Sequence, residues 1–313
     1  MLWFAHNRQW RQFGADHEMM TLDGGGGMYW GGVELSGAHA KLSRATDPRD
    51  YSPHMLKDFS GAWFGVLSGA GAGQSARVVA NTETTMTLDR ELEHSLDTTS
   101  MVSVVPFRGD LFFVANAYED GGPFQLYAMA QHCVVAENTG ARMDGFGGEG
   151  LNPHGWGWQP NWYNYFADNN ITEGNALGGK TATFNLGGGW AIGEHGIPSG
   201  DAYSGNLTGG PLNLGSVFRR NRALNNAKFV ADGSTECALF DGNRVESSPV
   251  GIHVTNRTAD VFLVGNEFSD VHQPYCWDTP AMHEPACYSP PRSRLGRSRD
   301  DPAVDPLTGV RRR

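Results

Sequence analysis

The sequence predicts an all-β fold: a parallel β-helix solenoid carrying a hairpin-rich β insertion. Three observations carry this. First, six segments repeat one pattern, an apolar run followed by asparagine: LFFVAN (111–116), CVVAEN (133–138), YFADN (165–169), VFRRN (217–221), ALFDGN (238–243) and VFLVGN (261–266). Second, three asparagine intervals are nearly equal: 22 (116 to 138), 22 (221 to 243) and 23 (243 to 266). A period in this range marks a solenoid. Third, the apolar runs are short and rich in Val and Phe, as strands are, and capped helical periodicity is absent. Asparagines at one place in each coil can stack, each amide bonding the next.

The elements follow in order. Residues 1–30 read as a first coil, because Leu2, Phe4 and Asn7 echo the repeat; it ends in the glycine run 24–27 after Asp23. That run lacks the Lys-Ser/Thr of a phosphate-binding loop, so it reads as a turn. Residues 31–106 break the cadence, since Asn116 follows Asn7 by 109 positions. AWFGVL (62–67), SARVVA (75–80), TTMTL (84–88) and SMVSVV (100–105) read as strands of a compact insertion, with a hairpin turn at 68–73. Residues 107–271 form the main coils. The interval from Asn138 to Asn169 is 31, which implies an inserted loop, placed at 145–162. The interval from Asn169 to Asn221 is 52, read as one extra, unmarked coil plus a glycine-rich loop around 186–210. Residues 272–313, rich in Pro, Arg and Asp, read as a loose tail.

Composition narrows the function. The chain has 313 residues, 42 of them glycine, and a net charge of −10. The tail 272–313 holds seven Arg and five acids, so residues 1–271 hold 17 basic and 29 acidic groups, a net of −12. So acidic a body is a poor nucleic-acid binder. No run of about 18 apolar residues exists, so no membrane span is expected. MLWFAHNRQW (1–10) lacks the apolar core of a signal peptide and looks like part of a coil, as in a fragment or processed form. Cys133 and Cys237 sit in repeat strands and are expected to be buried; Cys276 and Cys287 lie in the tail and could pair. No zinc-finger spacing, HExxH or nucleophile elbow occurs, so no cofactor is expected; calcium held by clustered acids stays open.

The asparagine-marked coils, the GAGAGQSAR hairpin (69–77), DGGGG (23–27) and the Gly-rich aromatic loop ending Gln159-Pro160 resemble bacterial secreted right-handed β-helix proteins of the pectate-lyase-like superfamily. The resemblance covers about residues 1–271. It implies a right-handed coil, an extracellular or cell-surface home, and a polysaccharide or other glycan as partner. The superfamily includes polysaccharide lyases, glycoside hydrolases, epimerases and phage tailspikes. No catalytic signature of one family matches, so no catalytic residue carries over.

Three places could carry chemistry. The loop 144–162 holds Asp144, Glu149, His154, Trp156, Trp158 and Trp162. Indoles stack on the C–H faces of sugars. Two carboxylates beside such a platform, Asp144 and Glu149, could act as acid and base in glycoside hydrolysis, with His154 as helper. The simpler reading is a solvated loop whose Trp residues cover the solenoid. The second place is Asp16-His17-Glu18 with Asp23. If the first two coils keep one offset, Glu18 stacks on Tyr127 and Asp16 on Gln125, giving a polar strip of Asp16, Glu18, Gln125 and Tyr127 for substrate. Its plain alternative is a wet outer face. The third is Glu173, Lys180, Glu194, His195 and Asp201; a lone Lys among acids is more often a solvated partner.

The resulting expectation is a carbohydrate-active enzyme, with glycoside hydrolysis ahead of lyase chemistry. The acidic body and the presence of only four Lys tip that choice. The alternative is a non-catalytic, adhesive or tailspike-like glycan-binding module.

Overall fold

The computed structural model describes residues 1–12, 18–23, 29–43, 58–106, 108–150, 159–174, 182–188, 212–232, 235–255 and 258–278. Among these, every regular element is a strand, and no helix could cross a membrane. The chain winds through four walls per coil. Wall A is a parallel sheet of seven strands: Leu2–Ala5, Leu111–Val114, Val134–Ala136, Tyr165–Ala167, Val217–Arg219, Leu239–Asp241 and Phe262–Val264. Wall B begins just past each asparagine, with Arg8–Trp10, Ala117–Glu119, Thr139–Met143, Asn170–Gly174 and Arg222–Leu224. Wall C holds Met20–Asp23, Pro123–Tyr127, Gly145–Gly150, Ala182–Gly188 and Ala227–Ala231. Arg244–Val254 and Glu267–Trp277 run through B and C without a break. Wall D is a column of two-residue strands from Arg108–Gly109 to Thr258–Ala259.

Inward side chains fill the coil, one layer per turn. Phe166, Phe218 and Phe240 stack with ring centroids 4.6 and 5.2 Å apart, and Phe184 lies 4.7 Å from Phe229. All five are fully buried. Between walls A and B the asparagines form the expected row. Asn138 donates from N and Nδ2 to Asn169 Oδ1 at 3.0 and 2.9 Å, and Asn169 does the same to Asn221. Each Nδ2 from Asn116 onward also reaches a wall A carbonyl of the previous coil, as Asn138 does to Phe113 at 2.9 Å. The row runs from Asn7 to Asn266. The residue before each asparagine has positive φ: Ala115 (54°), Glu137 (58°), Arg220 (52°) and Gly242 (62°) among them. The corner therefore needs a left-handed residue whatever its side chain.

Several expectations change here. Asn169 bonds directly to Asn221, so the 52-residue interval is a single coil, not two coils. The sequence 145–150, read as loop, is a wall C strand, because its glycines let neighbouring strands approach closely. Wall C continues through Trp277, so regular structure extends past residue 271, where the tail was placed. Cys237 is exposed, while Cys133 is buried; both are free. Cys276 is disulfide-bonded.

The segment 29–105 forms a seven-stranded antiparallel sheet with its own core, including Tyr29, Phe59, Phe64 and Met86. It meets the coils through a second cluster: Trp63, Leu67 and Val105 against Met129, Trp162 and Leu212. Its hairpin turns at Gly69, Gly71 and Gly73, with φ of 78°, 76° and 89°. A side chain at Gly69 would strike the Thr99 carbonyl.

Candidate functional site

Period-2 alternation decides what wall C shows to solvent. Phe124 and Leu126, Phe146, and Phe184 and Leu186 are fully buried. Their neighbours therefore face outward: Gln125 and Tyr127, Gly147 and Glu149, Thr183 and Asn185. Pairing aligns Gln125, Gly147 and Asn185 on one rung, and Tyr127, Glu149 and Gly187 on the next but one. Glycine at 145 and 147 leaves a hollow between taller neighbours. A Cβ on Gly147 would come 3.0 Å from the Asn185 carbonyl oxygen. The hollow is a cavity of about 190 Å³, lined by Gln125, Asp144, Gly147, Glu149, Thr183 and Asn185.

Glu149 is the chemically distinctive group. Burial raises its carboxyl above the ordinary value, and the negative charge of Glu18 raises it further. Asn185 Nδ2 donates to Glu149 Oε1 at 3.5 Å, which partly opposes the rise. Glu18 in turn accepts a hydrogen bond from Gln125 Nε2. A carboxyl of raised pKa, a second carboxylate, two amides and a hydroxyl thus meet over a glycine floor. On the next strand Lys228 stands in register with Thr183. Burial lowers its ammonium pKa, and among the described residues it pairs with no carboxylate. Farther along, His253 Nε2 lies 2.9 Å from Asp278 Oδ1, and Thr255 donates to Asp232 at 2.7 Å. No group of three or more His, Cys, Asp or Glu among the described residues is placed to hold a metal ion.

The sequence-predicted residues fare unequally. Asp144 and Glu149 do line one cavity. Glu18 and Gln125 do touch, but by a different register: Gln125 pairs with Thr21, and Tyr127 with Asp23. Nine residues separate Trp10 from Met20 in sequence, where only three separate Glu119 from Pro123, so a shared offset from asparagine fails there. Tyr127 packs partly against the Trp63–Trp162 cluster. Trp162 is not a sugar platform. It is 1% exposed and meets Trp63 edge to face at 5.1 Å, because the insertion covers it. His154, Trp156, Trp158, Asp16 and His17 lie outside the described residues, as do Lys180, Glu194, His195 and Asp201. Glu173 is on wall B, 3.7 Å from Arg142, away from the cavity lining. Sequence reading missed Thr183, Asn185 and Lys228. The alternation around Phe184 and Phe229 was the available signal.

No family model matches this chain, and no curated protein does. Among solved structures it is similar to the tailspike protein gp49 from Pseudomonas phage LKA1, at 9% identity over 84% of this chain and 62% of that one, with a TM-score of 0.24. It is also similar to the Pseudomonas phage phi297 tailspike gp61, at 10% identity over 88% and 63%, with a TM-score of 0.24. The chain thus spans less than two thirds of either structure's length.

Proposed function

We propose that the protein binds a polysaccharide across the outer face of wall C and hydrolyses it with Glu149 as proton donor. One observation carries this reading: a carboxyl whose pKa is raised by burial and by Glu18, set in a glycine-floored cavity among hydrogen-bonding side chains. Such an acid can protonate a glycosidic oxygen at neutral pH. Asp144, on the same cavity, is the second carboxylate; Glu18 sustains the proton on Glu149. Gln125, Thr183 and Asn185 bind sugar hydroxyls. His154 as helper and Trp156 and Trp158 as sugar platform belong to the same reading. Glu149→Gln should abolish product release from a cleaved glycan while leaving its binding nearly unchanged, as read by mass spectrometry and calorimetry. Full turnover in both Glu149→Gln and Asp144→Asn would overturn it.

The adhesive, non-catalytic reading is favoured by one contact: the Glu18 carboxylate is already engaged by Gln125. Tight binding with no products from any bound glycan would select it. We also read the coil as right-handed, because crossovers between parallel strands almost always are. Membership in the pectate-lyase-like superfamily is part of this proposal. So is an extracellular or surface location, which the disulfide at Cys276 supports.

A further inference from the structure

The two ends of the coil carry complementary chemistry. In the asparagine row, each Oδ1 accepts the N–H and Nδ2–H of the asparagine one coil earlier. Asn7 donates to Asn116 Oδ1 at 3.0 and 3.1 Å, but among the described residues its own Oδ1 accepts nothing. At the far end Asn266 Oδ1 accepts from Asn243, while the Asn266 backbone N–H finds no acceptor among the described residues. One end is an acceptor and the other a donor.

Wall A shows the same asymmetry. Among the described residues, Leu2–Ala5 pairs only with Leu111–Val114, and Phe262–Val264 only with Leu239–Asp241. Each leaves one unpaired strand edge, a template for another strand. Both edges hold large apolar groups in solvent: Trp3 is 61% exposed and Phe262 49%. Following the register coil by coil puts Trp3 and Phe262 on one rung. The same exercise on wall B puts Arg8 and Glu267 on one rung. Both are exposed, and their charges are opposite.

We propose that the last coil of one copy docks on the first coil of a second copy, head to tail. The Asn266 N–H and Nδ2–H would donate to Asn7 Oδ1 of the second copy. Phe262 would stack on its Trp3, and Glu267 would face its Arg8. Joining two like ends would run the edge strands antiparallel and lose this rung-by-rung match, with only acceptors to offer at one joint and only donors at the other. A head-to-tail contact does not close on itself, so the product is a series of open stacks rather than a closed dimer.

Sedimentation of the full chain over about a hundredfold concentration range tests this, with circular dichroism and melting as controls for folding. The mass should rise with concentration. Arg8→Glu and Glu267→Arg, both at exposed positions, should each weaken association by about tenfold, the equivalent of about 1.4 kcal/mol. Mixing the two variant proteins should restore a joint, because the reversed charges then face each other. Trp3→Ala provides a variant independent of charge and should weaken association too. A chain monomeric throughout, a closed dimer indifferent to either reversal, or failure of mixing to rescue would each overturn the proposal.

Discussion

Burial, and the nearby charge of Glu18, raise the Glu149 carboxyl above its ordinary value. Both causes act only in the folded chain. A folded pKa above the unfolded value means that its contribution to stability is fully present below the unfolded pKa. That contribution is lost as pH rises through the folded one. Glu149→Gln has no such dependence. Its melting temperature should therefore improve relative to wild type as pH rises from about 4 to neutrality. A flat difference would mean that the carboxyl is solvated. The asparagine row makes a second prediction. Asn138→Leu removes the Nδ2 donor and the Oδ1 acceptor, leaving the backbone N–H of Asn116 unpaired in the interior. Denaturant unfolding should show a loss of about 1–3 kcal/mol or more. The corner before it offers a gain. Ala115 sits at φ 54°, a conformation that costs L-residues about 1–2 kcal/mol. Ala115→Gly removes that strain but adds freedom to the unfolded chain. It should stabilise by about 0.5–1 kcal/mol net.

At the level of the strand, wall C explains what was legible and what was not. The asparagine row could be read because one residue type recurs at a fixed place after each wall A strand. The outer face of wall C could not, because its neighbours come together across loops of unequal length. Glu18 reaches Gln125 only because the first corner is long, and nothing in composition reveals that. GFGGEG (145–150) reads as a loop since glycine disfavours strands; here the missing side chains are what open the cavity. Trp162 was visible as an aromatic, but whether it meets sugar or protein depends on Trp63, far away in sequence. Its substitution separates the two roles. Trp162→Ala should cost about 3–5 kcal/mol by opening the joining cluster. Titration with an oligosaccharide should show affinity unchanged.

Among the described residues, the molecule has two cores joined by one cluster. The coil core runs from Met19 to Leu263, and the insertion core includes Phe64. The joining cluster rests on few side chains, so the insertion should melt as its own unit. Phe64→Ala, which empties a fully buried site, should lower one of two calorimetric transitions by about 3–5 kcal/mol and spare the other. A single transition shifted as a whole would show that the cores are one. The row of amides bears on the molecule's capacity to change. Successive asparagines are 22, 31 and 52 positions apart, yet their amide contacts all fall between 2.9 and 3.0 Å. The row thus sets phase without setting length. Residues can enter or leave a coil beyond that corner and the pitch of the stack is unaltered. Variation at the rim of the cavity is thereby uncoupled from the framework that holds its floor, so the rim can change shape while the scaffold stands still.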